Sequence, residues 1–278
     1  ALKFTNFSMY NLFHKSDNYR AFIPQGDGQT FSISGQTNGT YYQSYNISFL
    51  DPWFGGKRPN SFSLNAFFSL QTGINNNYYN SAYYNNYYNS MYGYGYGYGY
   101  GYGSNYENFY DPDKSQQIFG VSLGWGKRLR WPDDYFQLNA ELAYTRYMMK
   151  DWNYFSLMTN GNCNNFALTL ALSRHSLDNQ IYPRKGSELL MSVSVTPPYS
   201  RWDGKDYSNL SNNPNISSYN RELQEKYSWI EYHKWKFKFR NFTALSNHDK
   251  CFVLMTRAEV GMLGSYNKHK PSPFENYY

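Results

Sequence analysis

The sequence predicts an all-β fold, a transmembrane antiparallel β-barrel, and three observations carry that prediction. Apolar and polar residues alternate with a period of two through ten segments, the connections between those segments alternate short and long, and no run approaches the ~18 apolar residues of a spanning helix. A strand sends successive side chains to opposite faces, so each segment puts one face against something greasy and the other against something wet. In 61–70 the even positions Phe62, Leu64, Ala66, Phe68 and Leu70 are apolar and the odd ones mostly polar. Strands of soluble sandwiches average about five or six residues, whereas these segments have the length a tilted strand needs to cross a bilayer.

The alternation places strands at about 2–13, 29–38, 42–54, 61–72, 116–129, 134–149, 163–175, 187–197, 231–245 and 250–266. One set of connections, 14–28, 55–60, 130–133, 176–186 and 246–249, is mostly short and rich in Gly, Pro and Asp. The other set, 39–41, 73–115, 150–162, 198–230 and the stretch after 267, is mostly long. Outer-membrane barrels have short periplasmic turns and long external loops, so all of 1–278 reads as part of one barrel domain. Two loops stand out. The Tyr/Gly/Asn-rich tract 73–115, which includes the Gly/Tyr repeat 93–103, cannot build a core and is expected to be a mobile extracellular loop. The second, 198–230, is polar, and its segment 221–226 reads as a short helix.

Composition agrees with a barrel. The 278 residues include 32 Tyr and 20 Phe, and 21% are aromatic; rings with a polar tip belong at the two bilayer interfaces. A mean hydropathy of −0.77 excludes a helical membrane protein but not a barrel, whose apolar residues are hidden in the alternation. The net charge of +6 and the run 232–240, which interleaves basic and aromatic residues, would suit a single-strand nucleic-acid binder. Periodicity decides against one: Lys234, Lys236, Lys238 and Arg240 share a face and Trp235, Phe237 and Phe239 share the other. That pattern predicts a basic lumenal stripe, with Arg257 and Glu259 beside it, on a strand whose apolar face meets lipid.

No catalytic centre, cofactor or metal site is expected. The five histidines, His14, His175, His233, His248 and His269, are scattered with no partner at metal-ligand spacing. The run Arg174-His175-Ser176-Leu177-Asp178 holds the residue types of a hydrolase triad, but adjacency in sequence is not triad geometry. Cys163 and Cys251 read as two chance thiols, and the six Asn-x-Ser/Thr sequons as what an Asn/Ser/Thr-rich chain gives by chance. The chain opens at Ala1 with no signal peptide, which reads as a mature or partial chain.

Several motifs, in order along almost the whole chain, carry a resemblance. They are 26–29 and 37–46; the run 49–59 with Asp51, Pro52, Trp53, Gly55 and Gly56; 173–178 followed by 182–186 with Pro183, Arg184 and Gly186; and 273–278. Together they resemble the C-terminal barrel of the BamA family, the central subunits of the outer-membrane β-barrel assembly machine in the POTRA-barrel superfamily. The physics of these motifs is consistent with barrel turns, because Pro52 cannot donate to a ladder and the glycines supply tight turns. The resemblance implies sixteen strands preceded by POTRA domains, of which ten here look like the second to the eleventh. It also implies an Arg-Gly-Phe/Tyr lumenal motif beyond Tyr278. The implied function is to fold and insert other β-barrel proteins at the bacterial outer membrane without a cofactor. Outer-membrane lipids, client β-barrels and accessory lipoproteins would be partners, and nucleic acid would not. The related alternatives are a polypeptide-translocating or autotransporter-inserting barrel, and more distantly a diffusion porin or transporter.

Overall fold

The computed structural model describes residues 1–14, 24–56, 60–74, 110–152, 158–208, 219–246 and 252–272. Most of the Tyr/Gly/Asn tract, Cys251, His248 and the motif 273–278 lie outside the described residues. Ten strands form one sheet in sequence order: β1 (Leu2–Phe7), β2 (Gln25–Asn38), β3 (Tyr42–Asp51), β4 (Asn60–Ile74), β5 (Tyr110–Arg128), β6 (Phe136–Lys150), β7 (Gly161–His175), β8 (Gly186–Val195), β9 (His233–Ala244) and β10 (Val253–Gly264). Every neighbouring pair is antiparallel. Among the described residues β1 pairs only with β2 and β10 only with β9, so the sheet is unclosed.

Following the register across the sheet separates two faces. One carries Ile33, Ile47, Leu64, Leu123, Leu142, Leu170, Met191, Trp235 and Val260, one or more from most strands, joined by direct cross-strand pairing or parity. These large apolar side chains are exposed, with no protein layer over them. In water such a wall would be unstable; against lipid it is the expected outer surface. The opposite face carries Ser32, Ser48, Asn65, Ser122, Glu141, Thr169, Ser192 and Lys236. Its exceptions are fitted locally: Phe67 pairs with Gly120, where a Cβ would collide with the Phe67 ring.

Several bounds differ from those the alternation suggested. β3 ends at Asp51 and not at 54, and β10 is shorter at both ends than 250–266. β4 extends to Ile74 and β5 starts at Tyr110, both inside the stretch 73–115 expected as loop. Two further segments are shorter for a visible reason. The first, 2–13, splits into β1 and a helical turn Met9–Phe13, because the Ser8 side chain caps it by accepting the Asn11 N–H at 3.0 Å. The ninth begins at His233 rather than 231: Ile230, Glu231 and Tyr232 leave the sheet and are buried under the loop that precedes it.

That loop is positioned by a mismatch in strand length. β7 has 15 residues and β8 has 10, so β8 covers β7 only from Leu168 to His175. The edge of β7 above Leu168 would be left bare, and bare ladder groups are costly. The 198–230 loop covers it. Gln224, on the helix Tyr219–Tyr227, accepts the Asn162 N–H at 2.6 Å and donates to its carbonyl at 2.7 Å. Two residues along, Asn164 donates its N–H to the Ser228 carbonyl at 2.9 Å and accepts the Ile230 N–H at 2.8 Å.

Candidate functional site

The side chains predicted for the stripe fall on one face. Lys234, Lys236, Lys238 and Arg240 share the polar parity of β9, flanked by Glu188, Leu190, Ser192 and Ser194 of β8 and by Arg257, Glu259, Gly261 and Leu263 of β10. In the half nearer the short turns they form a charge network. Lys238 Nζ lies 2.6 Å from Glu259, which also pairs with Arg257; Arg240 pairs with Glu188, and His175 Nδ1 lies 3.5 Å from Glu188. These groups line a cavity of about 240 Å³. Each pair is partly exposed, so its contribution to stability is small. The network instead fixes where charge sits across four strands.

At the opposite end the same face is covered. Met149 of β6 and Cys163 of β7 form an apolar cluster with Trp152, Met158, Leu223, Tyr227, Ile230 and Tyr232, and Tyr147 and Leu263 pack against it. The strand residues in this cluster have polar-face parity, so an apolar patch interrupts the polar wall where the loop descends. Burying one such side chain contributes about 1.5–3 kcal/mol. The cover reaches from β6 to β10. Cys163 is fully buried in it as a free thiol.

A charged pair ties the stretch after β10 to this roof. Lys270 and Glu231 are 2% and 1% exposed, with Lys270 Nζ 4.0 Å from Glu231 Oε2. Glu231 Oε2 accepts the Ser200 N–H at 2.9 Å, Lys270 Nζ sits 4.9 Å from the centre of the Tyr207 ring, and the Tyr207 hydroxyl donates to Asp203. Burial pushes the Lys270 ammonium down from the ordinary lysine value, against the pull of Glu231 and Asp203. Sequence reasoning missed this pair, since 39 positions separate its members and neither lies in a motif. The segments read from the sequence, 163–175 and 187–197, differ little in length, so the bare edge of β7 was not visible there.

The remaining predicted residues sit in turns. Asp51 accepts the Trp53 N–H at 2.9 Å and Gln29 Nε2 at 3.1 Å, Pro52 ends the ladder, and Gly55 and Gly56 take φ of 72° and 67°. Pro183 and Arg184 lie in the β7–β8 turn, and Gly186 opens β8 with φ 116°. Ser176 and Asp178 also serve that turn. The Ser176 hydroxyl is held by Arg174 at 2.7 Å and contacts Ser187, while Asp178 accepts backbone N–H groups. His175 faces Glu188 instead, so the three triad residue types are not assembled. Among the described residues no group of three His, Cys, Asp or Glu side chains is placed to hold a metal ion.

The comparisons agree with this architecture. An Omp85 superfamily domain matches residues 25–278. The crystal structure of BamA from Haemophilus ducreyi lacking POTRA domains 1–3 superposes with a TM-score of 0.52 and 15% identity, covering 90% of this chain. The chain spans 38% of the length of that protein, and the likeness is one of fold. No curated protein matches the chain. With a ten-stranded barrel wall, apolar on one face and polar on the other, and a domain match over most of its length, the chain belongs to the Omp85 superfamily.

Proposed function

We propose that this chain is a wall segment of an outer-membrane barrel that folds and inserts other β-barrel proteins. The observation that carries the reading is the Omp85 domain match over 25–278. The geometry supports it: a rigid ladder of long strands, an uncovered apolar face, and a polar face under a packed loop. In this reading the long connections are extracellular and the short turns periplasmic, and the stripe Lys234, Lys236, Lys238, Arg240 with Arg257 and Glu259 faces the lumen. Insertion needs no bond chemistry. An opened seam offers unpaired strand edges, and a client strand that pairs there has its backbone satisfied as it leaves water. Client β-barrels, outer-membrane lipids and accessory lipoproteins are the partners this implies. A translocating barrel of the same superfamily is the nearest rival, and a diffusion porin is disfavoured by the roof packed onto the polar face.

The test uses the full-length protein in proteoliposomes with an unfolded client barrel. Client that becomes folded and protease-protected within the bilayer supports insertion, and client recovered across the bilayer supports translocation. A disulfide across the seam should block the activity and reduction should restore it; full activity with the seam locked would defeat the edge mechanism. Replacing His175, Ser176 or Asp178 by Ala should leave activity within a few-fold, whereas losing a triad member costs about a thousandfold or more.

A further inference from the structure

The turns at the short-connection end hold a surface that neither the polar wall nor the roof uses. The β7–β8 turn is unusually well tied. Asp178 Oδ1 accepts the N–H groups of Asn179 and Arg184 at 2.9 Å and Lys185 at 3.2 Å, and Asn179 Oδ1 accepts those of Ile181 at 2.9 Å and Tyr182 at 3.3 Å. What this framework holds up is apolar and bare: Ile181 is 78% exposed and Tyr182 is 81% exposed. In the neighbouring β5–β6 turn, Trp131 is 82% exposed. Arg174 clamps the two turns together, reaching Asp133 Oδ2 at 2.8 Å and the hydroxyls of Ser176 and Ser187 at 2.7 Å each.

The clamp lies on the rim of the apolar wall. Arg174 pairs with Phe136 and Leu189, all of apolar parity, and its guanidinium sits 5.7 Å from the ring centres of Tyr135 and Phe136. The surface is also cationic. Arg130 and Lys185 are exposed and have no ion-pair partner among the described residues. With the strand ends included, Arg128, Arg130, Arg174, Arg184 and Lys185 stand against Asp133, Asp134 and Asp178, an excess of two positive charges. Exposed aromatic rings beside the exposed cations Arg130 and Lys185, continuous with the apolar wall, complement a bilayer interface in shape and charge.

We infer that the tips of turns 129–135 and 176–186 dock anionic phospholipid headgroups in the leaflet at the short-turn end. Trp131, Ile181 and Tyr182 enter the interfacial layer, and Arg130 and Lys185 meet the phosphates. The test is the association of spin-labelled phosphatidylglycerol against phosphatidylcholine with the full-length protein in mixed bilayers. The wild type should prefer the anionic lipid, and R130Q/K185Q should lower that preference by about fivefold per cation removed. Both positions are exposed turn tips, so folding judged by heat-modifiability should be unchanged. R201Q, at the other end of the molecule, serves as the control and should leave the preference intact. An unchanged preference in R130Q/K185Q would overturn the inference. So would an equal fall in R201Q, which would mean that net charge alone is read. Loss of an acidic protein partner with the lipid preference intact would instead make the tips a protein dock and also defeat it.

Discussion

Replacing Lys270 by Met should detach the roof while leaving the barrel wall folded. The ammonium faces Glu231 at 4.0 Å in a site where the two residues are 2% and 1% exposed. Without it, the carboxylate keeps one hydrogen bond, from the Ser200 N–H, while Glu231 Oε1 has no hydrogen-bond partner among the described residues. Removing one member of a buried ion pair costs about 3–5 kcal/mol, because the other charge stays desolvated. That is about two to three and a half powers of ten in the local opening equilibrium. The loop can lift off without unzipping the ladder, so the effect should be confined to it. Hydrogen exchange on the full-length protein should show faster exchange in 199–208 and 219–232, with β2–β5 unchanged. The double variant E231Q/K270M should recover most of the protection, since a glutamine carbonyl can still accept from Ser200 and no charge is stranded. Unchanged protection in K270M, or a double variant as open as the single one, would refute the reasoning.

Three further outcomes are expected. In a background with Cys163→Ala and Cys251→Ala, a cysteine at Phe237 should react with a lipid-phase reagent and one at Lys236 or Lys238 should not. The reverse pattern would invert the register, since a Lys facing lipid at the midplane costs roughly 2–4 kcal/mol. Gly186→Ala should loosen the β7–β8 hairpin, because φ is 116° and a Cβ would collide with the Ser176 carbonyl; the backbone strain alone is about 1–3 kcal/mol and is readable in urea unfolding. Backbone donors, that of Lys185 foremost, hold the Asp178 carboxyl below its ordinary value of 3.8. Its folded value therefore lies below its unfolded one, so its support of the turn is complete above about pH 4 and fades as pH falls through the folded value. Exchange at Arg184 and Lys185, corrected for intrinsic rate, should rise in that acidic window, and a rise toward neutral pH would contradict the assignment.

The sequence by itself determined the wall. Period-two alternation is a local property: once Phe62, Leu64 and Ala66 sit on one face, Ser61, Ser63 and Asn65 must sit on the other, and register with the neighbours follows from keeping faces alike. The same logic put Lys234, Lys236, Lys238 and Arg240 on one side of β9 and Trp235, Phe237 and Phe239 on the other. The turns were legible for a similar reason, since Pro52, Gly55 and Gly56 punctuate the chain through their own backbone limits. Ser8 was readable in principle as a helix cap, but a polar residue in an alternating run looks the same as a strand position. Only the tertiary structure decided the roof. Asn162 and Asn164 became docking points because β8 stops short of them, and Glu231 met Lys270 because β9 and β10 bring their far ends together. Those partners lie tens of positions apart, and no local periodicity records such a distance. It is set by strand lengths and by which edge is left bare.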